Sequence, residues 1–163
     1  MKDSETEKKA GFFVYEMEYK GGVLQPELKV IPFEEKYYDE YKKVYEDCFE
    51  EMRKALNSKP YRDCYSLESL MKVKENTFLL FGSSGIIGAV TCLKNEIDDL
   101  IVNQKYQKQG YGTKLMKFAI SHMQKRGDRA INLHVTEWNK NAIKLYEKLG
   151  FVTKKEKWID RSK

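Results

Sequence analysis

A polar loop with two glycines runs directly into a predicted helix and carries the clearest chemical signal in the chain. It spans residues 102–113 and contains Gly110 and Gly112 at alternate positions. Glycine lets the backbone approach a ligand closely, and a helix start leaves amide N–H groups unsatisfied at the positive end of its dipole. The loop therefore predicts an anion site suited to phosphate. It matches neither a Walker loop nor the dinucleotide-binding spacing, and the alternative is a plain strand-to-helix turn.

The hydrophobic spacing predicts the elements that position this loop. Apolar runs at residues 77–81, 86–93 and 96–102, separated by short polar turns, predict an antiparallel meander. Strands at 12–19 and 28–33, a long helix at 34–56 and a short helix capped by Ser66 precede it. A helix that ends at Gly127, a strand at 131–135, a helix that ends at Gly150 and a strand at 152–159 follow it.

This order of elements predicts one mixed α/β (α+β) domain over residues 1–163, with residues 1–9 as a disordered tail. Its central mixed sheet consists of the antiparallel meander followed by a β-α-β-α-β unit. The strands at 96–102 and 131–135 are joined through a helix, so we expect them to be parallel.

Two sequence motifs resemble those of the GNAT superfamily of N-acetyltransferases. Gln107-x-x-Gly110-x-Gly112, five residues after Val102, is similar to the superfamily's pyrophosphate loop. The second motif is carried by Leu133-His134-Val135, Asn139, Ala142 and residues 145–151. Both motifs occur in the order and spacing of the family and cover about the last third of the chain. The resemblance implies a GNAT-like fold and an acetyl-CoA-dependent acyl transfer.

The resemblance also implies how acetyl-CoA, as co-substrate, would be held. The pantetheine arm would lie along the strand end at Ile101 and Val102, and Asn139 would hydrogen-bond that arm. Backbone amides of the loop would hold the pyrophosphate; the loop residues are Gln107, Lys108, Gln109, Gly110, Tyr111, Gly112 and Thr113. Gln104 stands where many family members have proline, which predicts a less rigid loop that keeps its donors.

The same resemblance assigns Tyr146 as the general acid and Glu96 as the general base. Asn139, Ala142 and Tyr146 are spaced to share one helix face. By strand alternation Glu96, Asp98, Leu100 and Val102 would share one face, with the carboxylate of Glu96 buried beside Leu100. The alternatives are that Tyr146 is a core aromatic, that Glu96 is a solvated charge, and that a water chain removes the proton.

Composition narrows the class of protein further. The chain has 163 residues, 41% of them hydrophobic, which suits one folded domain and excludes general disorder. Its net charge is +5, and its charged residues are interspersed rather than concentrated in one basic block, so we expect no nucleic-acid partner. Three cysteines without a C-x-x-C pair predict no metal site, and no apolar run is long enough for a membrane span. We expect a cytoplasmic protein.

The predicted function is therefore transfer of an acetyl group to a primary amine by direct attack in a ternary complex. The acceptor is left open as a small-molecule amine or a peptide amine. The alternative function is a non-catalytic acyl-CoA-binding or regulatory module, which would keep the loop without an acceptor site. The resemblance to the family also implies a possible homodimer.

Overall fold

A seven-stranded mixed sheet forms the centre of the protein, in a computed structural model that describes residues 10–161. The strands are β1 (Gly11–Tyr19), β2 (Ile31–Pro32), β3 (Thr77–Gly82), β4 (Gly85–Leu93), β5 (Glu96–Val102), β6 (Asn132–Thr136) and β7 (Phe151–Asp160). They lie in the order β2-β3-β4-β5-β6-β1-β7. The helices are α1 (Tyr38–Ala55), α2 (Leu67–Lys72), α3 (Tyr111–Arg126) and α4 (Lys140–Leu149).

The structure confirms most of the predicted elements. Strands β3, β4 and β5 form the antiparallel meander, and β5 is parallel to β6. Ser66 caps α2 by accepting a hydrogen bond from the amide of Ser69. Helices α3 and α4 end at Gly127 and Gly150, both with left-handed backbone conformations. The predicted tail at residues 1–9 lies outside the described residues.

Two predicted boundaries are wrong, and both lie before the meander. Strand β2 is much shorter than the predicted 28–33, because only Ile31 and Pro32 pair with β3 and proline has no N–H for a ladder. The first long helix begins at Tyr38 rather than at residue 34, since a 3-10 turn over Glu35–Tyr37 precedes it.

Strand β1 has a position that its place in the sequence does not indicate. It lies between β6 and β7 and pairs antiparallel with both along most of its length. The first strand of the chain therefore holds the last two strands together. Every residue of β6 pairs with β1. Strand β6 is therefore held in the sheet even where its other edge is not paired with β5.

The sheet separates two hydrophobic cores. On one face α3 packs Leu115 and Ile120 against Val90 of β4 and Leu133 of β6. On the other face α1 and α2 pack against the meander, with these residues among the buried ones: Tyr41, Tyr45, Leu70, Leu79 and Ile101. Because α1 and α3 pack on opposite faces of the sheet, the end of β5 is held between them. This packing positions the loop that follows β5.

Gly88 lies where β4 passes the end of β5, opposite Val102. A Cβ on Gly88 would lie 2.6 Å from the carbonyl oxygen of Ile101 and 2.8 Å from the Leu115 side chain. We expect Gly88→Ala to lower the free energy of unfolding by about 1–3 kcal/mol, the range for overpacking a core. Urea denaturation measures this. Gly22→Ala is the control, because a Cβ at Gly22 meets no atom within 4 Å; equal effects of the two substitutions would contradict the close approach.

Candidate active site

A cleft opens between the parallel strands β5 and β6. Within residues 10–161 these two strands pair through Glu96 and Asn132, which lie at the start of β5 and of β6. Beyond that pair, β6 continues along β1 and β5 continues along β4. The two strands therefore part toward their carboxyl ends, which is where ligands bind in parallel α/β sheets.

A β-bulge in β5 contributes to this separation. Thr91 pairs with Asp98, whereas Ala89 pairs with Ile101, so Asp99 and Leu100 together oppose a single residue of β4. Asp99 takes up the extra residue in a left-handed conformation with φ of 44°. A bulge bends the strand that carries it and changes which face its side chains occupy.

The bulge makes the predicted common face of Glu96, Asp98, Leu100 and Val102 wrong. Leu100 and Val102 pack against the core on the α3 side of the sheet. The carboxylate of Asp99 instead lies on the α1 side, where it accepts a hydrogen bond from the Tyr45 hydroxyl at 3.4 Å. Strict alternation fails because the extra residue reverses the side-chain order beyond Asp98.

The loop before α3 has the backbone of an anion site. Gly110 has φ of 87°, a conformation that costs other residues roughly 1–2 kcal/mol. The first hydrogen bond of α3 is donated by the Lys114 amide to the Gly110 carbonyl at 3.2 Å. The amides of residues 111–113 precede this bond and have no acceptor within the helix, so they and the helix dipole favour an anion.

Side-chain hydrogen bonds tie the start of this loop to α1. The Val102 carbonyl accepts from Gln107 Nε2 at 3.0 Å and from the Cys48 thiol at 3.1 Å. Gln104, which replaces the proline of many family members, donates to the Asp47 carbonyl at 3.1 Å. Burial raises the pKa of the Cys48 thiol to about 11, so it stays protonated and remains a donor at neutral pH.

The larger of two adjoining cavities has a volume of about 380 Å³ and lies along the end of β5. Six of the residues that the sequence analysis selected line it: Ile101, Val102, Gln107, Gly112, Asn139 and Tyr146. The other selected loop residues surround the start of α3 without lining this cavity; they are Lys108, Gln109, Gly110, Tyr111 and Thr113.

Helix α4 and its N-cap residue Asn139 form one side of the larger cavity. Asn139, Ala142 and Tyr146 all line it, which confirms that they share one face. Asn139 also caps the helix, because its Oδ1 accepts a hydrogen bond from the Ala142 amide at 3.3 Å. Burial raises the pKa of Tyr146 to about 12, so its hydroxyl keeps its proton at neutral pH.

The smaller cavity, of about 150 Å³, adjoins the first at Asn139 and Tyr146. Asp98, Asp99 and His134 also line it. Glu96 does not line either cavity; its Oε1 lies 2.7 Å from His134 Nδ1. The structure thus links Glu96 to the cavity through the imidazole of His134.

The sequence analysis missed Asp98 and Asp99 as site residues. Burial and the neighbouring charge of Asp98 raise the pKa of Asp99 to about 7, although hydrogen bonds from Tyr65 and Tyr45 oppose the shift. Two adjacent acids within an apolar run were the available signal, because successive residues of a regular strand face opposite sides. In a regular strand one of these two acids would face a hydrophobic core. A bulge avoids this by turning both acids toward a polar site.

The described residues 10–161 contain no group of three or more His, Cys, Asp or Glu side chains arranged to hold a metal ion. No helix in that part of the chain is both long and apolar enough to cross a bilayer.

Comparison with known proteins identifies the family. Residues 34–151 match the model of the acetyltransferase (GNAT) family, so the chain belongs to that family. An uncharacterized N-acetyltransferase of Methanocaldococcus jannaschii is 35% identical over 97 residues, covering 52% of this chain and 43% of that protein. N-alpha-acetyltransferase 30 of Xenopus laevis is 36% identical over 87 residues, covering 48% of this chain and 32% of that protein. The chain thus spans less than half the length of both relatives.

A solved structure supports the fold independently. The PaiA N-acetyltransferase of Thermoplasma acidophilum, determined in complex with coenzyme A, superposes with a TM-score of 0.63 at 18% identity. The match covers 75% of this chain and 87% of that one. The mixed sheet and helices described above are therefore those of a GNAT fold.

The two loop glycines should respond differently to alanine. At Gly110 the left-handed backbone disfavours any Cβ, so we expect Gly110→Ala to weaken acetyl-CoA binding about tenfold, equivalent to about 1.4 kcal/mol. At Gly112 a Cβ would lie 3.7 Å from Leu145 and 3.9 Å from Val102, which are ordinary contacts. Gly112→Ala should keep the dissociation constant within about twofold. Titration calorimetry compares them, and equal losses would contradict a role for the Gly110 backbone.

Proposed function

We propose that the protein is an acetyl-CoA-dependent N-acetyltransferase that moves the acetyl group to a primary amine by direct attack in a ternary complex. The observation that carries this proposal is the cleft between β5 and β6. The loop amides at the start of α3 lie at one end of the cleft, and Tyr146, Asp98 and His134 surround the smaller cavity at the other. One end suits a pyrophosphate, and the other suits a reacting amine.

The chain's own groups fit the proposed co-substrate. The loop amides and the positive end of α3 would hold the pyrophosphate, and the strand end at Ile101 and Val102 would lie beside the pantetheine arm. When bound, acetyl-CoA supplies an activated acetyl thioester. Leu100 and Leu145 make the walls of the cleft partly apolar, which suits the acyl and alkyl parts of such a molecule.

Tyr146 would act by donating a hydrogen bond to the departing sulfur. Its raised pKa makes full proton transfer to a thiolate, whose own reference pKa is near ~8.5, unfavourable. A hydrogen bond requires no such transfer and still stabilises the negative charge that develops on the leaving group. Tyr146 is therefore proposed as a donor that retains its proton through the step.

His134 and Glu96 would together remove the proton from the acceptor. An alkyl amine with a pKa near ~10 is mostly protonated at neutral pH, and only its neutral form attacks. His134 lines the smaller cavity, and if its Nδ1 donates a proton to Glu96, the opposite ring nitrogen is left as a hydrogen-bond and proton acceptor. Glu96 would then act through His134 by fixing the tautomer and stabilising the charged ring.

Tyr146→Phe should lower kcat by about 100-fold, the cost of removing one donor to a developing negative charge. The ring would keep its contact with Phe151, whose centroid lies 5.9 Å away, so we expect acetyl-CoA affinity to change little. Tyr61→Phe is the control, because its hydroxyl bonds Asn57 away from both cavities. Steady-state kinetics of the two variants measure this effect. An unchanged kcat in Tyr146→Phe would exclude Tyr146 as the donor.

Glu96→Gln and His134→Gln should each lower kcat/KM by about 100-fold, within the range of general acid–base effects. Because both residues act on the same proton, the double variant should lose no more than the worse single variant. Kinetics of the three variants at one pH complete this cycle. Losses that multiply in the double variant would contradict a shared path and favour independent roles.

An assay of coenzyme A release over a panel of amines tests the proposed function itself. The Xenopus relative is named for N-alpha acetylation, so the panel should include peptide N-termini beside small primary amines. Calorimetry establishes acetyl-CoA binding, and thiol release that depends on an added amine establishes the transfer. Binding without amine-dependent release would contradict the proposal and identify a non-catalytic acyl-CoA-binding module.

A further inference from the structure

An acidic pair forms a wall shared by two cavities on the α1 side of the sheet. Asp98 and Asp99 line the 150 Å³ cavity that contains Tyr146 and His134. They also line a second cavity of about 290 Å³ between α2 and the meander, beside Tyr65, Ser69 and Leu70. Each of the two residues therefore borders both the cavity beside Tyr146 and a second space on the α2 side.

Neither Asp98 nor Asp99 takes part in a salt bridge within the part of the chain that the structure describes. Among the side chains that line the smaller cavity with them, the basic one is His134. The guanidinium of Arg53 lies over the ring of Tyr45 at 6.0 Å and donates to the Asp63 carbonyl. Asp98 and Asp99 are adjacent and half-buried, so their negative charges oppose one another, and an arriving cation would relieve both the repulsion and the partial loss of solvation.

Tyrosines surround the acidic pair on the α1 side. The Tyr45 hydroxyl donates to Asp99, and the Tyr45 and Tyr65 ring centroids lie 5.6 Å apart. The hydroxyl of Tyr41 is fully buried and has no hydrogen-bond partner within residues 10–161. Burial, helped by the charge of Asp99, raises the pKa of Tyr41, which lines neither of the two cavities. Of these tyrosines Tyr65 lines the second cavity, where an aromatic face favours an ammonium group.

We propose that the acceptor is an alkyl diamine or polyamine whose second ammonium group is held between Asp98 and Asp99 while its first amine reacts beside Tyr146. This substrate class rests on the proposed acetyl transfer. Both cavities border the acidic pair, so the two carboxyl groups lie between the reacting end of the cleft and a second space of about 290 Å³. A peptide N-terminus has no second cation at a fixed alkyl distance and leaves the pair without a partner.

The reaction balances on this substrate. The ammonium form of the first amine gives one proton to His134, which passes it to water, and the lone pair so freed forms the new N–C bond to the acetyl carbon. The nitrogen then loses a second proton by the same route and becomes the amide N–H. The C–S bond breaks, and its electron pair leaves on sulfur, which accepts the hydrogen bond of Tyr146. The product has a neutral amide at one end and an ammonium at the other, so it carries one positive charge fewer than the substrate.

Matched amines test the proposal. 1,4-Diaminobutane and butylamine present the same reacting group, but only the diamine carries a second cation. We expect kcat/KM for the diamine, and for spermidine, to exceed that for butylamine by about 10- to 100-fold, the effect of one charge-assisted hydrogen bond. A peptide with an N-terminal alanine should be slower than both 1,4-diaminobutane and spermidine. A diamine-to-butylamine ratio near one, or a faster peptide, overturns the proposal.

Asp99→Asn provides the decisive variant. Asparagine tolerates the left-handed backbone at this position, and the substitution should reduce the diamine-to-butylamine ratio to near one. Asp39→Asn, an exposed acid of α1 that lines neither cavity, should keep the wild-type ratio. A ratio that survives in Asp99→Asn overturns the proposal.

We also expect the Asp99→Asn variant to be stable enough for this measurement. The pKa of Asp99 is raised on folding, so its cost to stability is fully present above pH 7 and disappears as the pH falls toward the unfolded value near ~3.9. The neutral variant should therefore be at least as stable as the wild type at pH 8. If it does not fold, Tyr65→Phe, which removes a hydroxyl beside Asp99, must lower the ratio for the proposal to stand.

The panel separates this proposal from the function on which it rests. Acetylation of butylamine or the peptide, without preference for the diamine, retains the acetyltransferase and overturns only the dicationic acceptor. Absence of coenzyme A release with every amine, despite acetyl-CoA binding, overturns the proposed function and this substrate class together.

Discussion

The separation of β5 from β6 is the constraint on which the rest of the site depends. Two parallel strands that stayed paired to their ends would satisfy each other's backbone and leave no room for a ligand. Here β6 is paired with β1 and β5 with β4, so each strand has a partner on its other side. The bulge at Asp99 adds a residue to β5 where the strands part. Backbone geometry thus creates the cleft before any side chain acts in it.

The same bulge places charge where a regular strand would not. It places Asp99 on the α1 side beside Asp98 and directs Leu100 and Val102 into the core on the α3 side. Burial of the acids opposes their ionisation and costs stability, which structural residues rarely do without compensation. The apolar residues that follow keep the strand anchored despite that cost. The site and the core therefore depend on one local irregularity.

Much of the fold follows from sequence patterns, whereas the acceptor side of the site does not. The loop through Gly110, the parallel relation of β5 and β6 and the shared face of Asn139 and Tyr146 all follow from local periodicity or spacing. The position of β1 between β6 and β7 is a long-range pairing, and no local pattern specifies it. The link from Glu96 to His134 is hidden for the same reason, because it joins two strands 38 residues apart.

The central claim is that the cleft between β5 and β6, together with the amides at the start of α3, binds acetyl-CoA. An NMR titration of backbone amides with coenzyme A tests this most directly, since each amide reports its own surroundings. We expect the largest chemical-shift changes at residues 108–113 and at the end of β5 near Val102, with small changes in β2 and α2. Shifts concentrated at β2 and α2, with residues 108–113 unaffected, would contradict it.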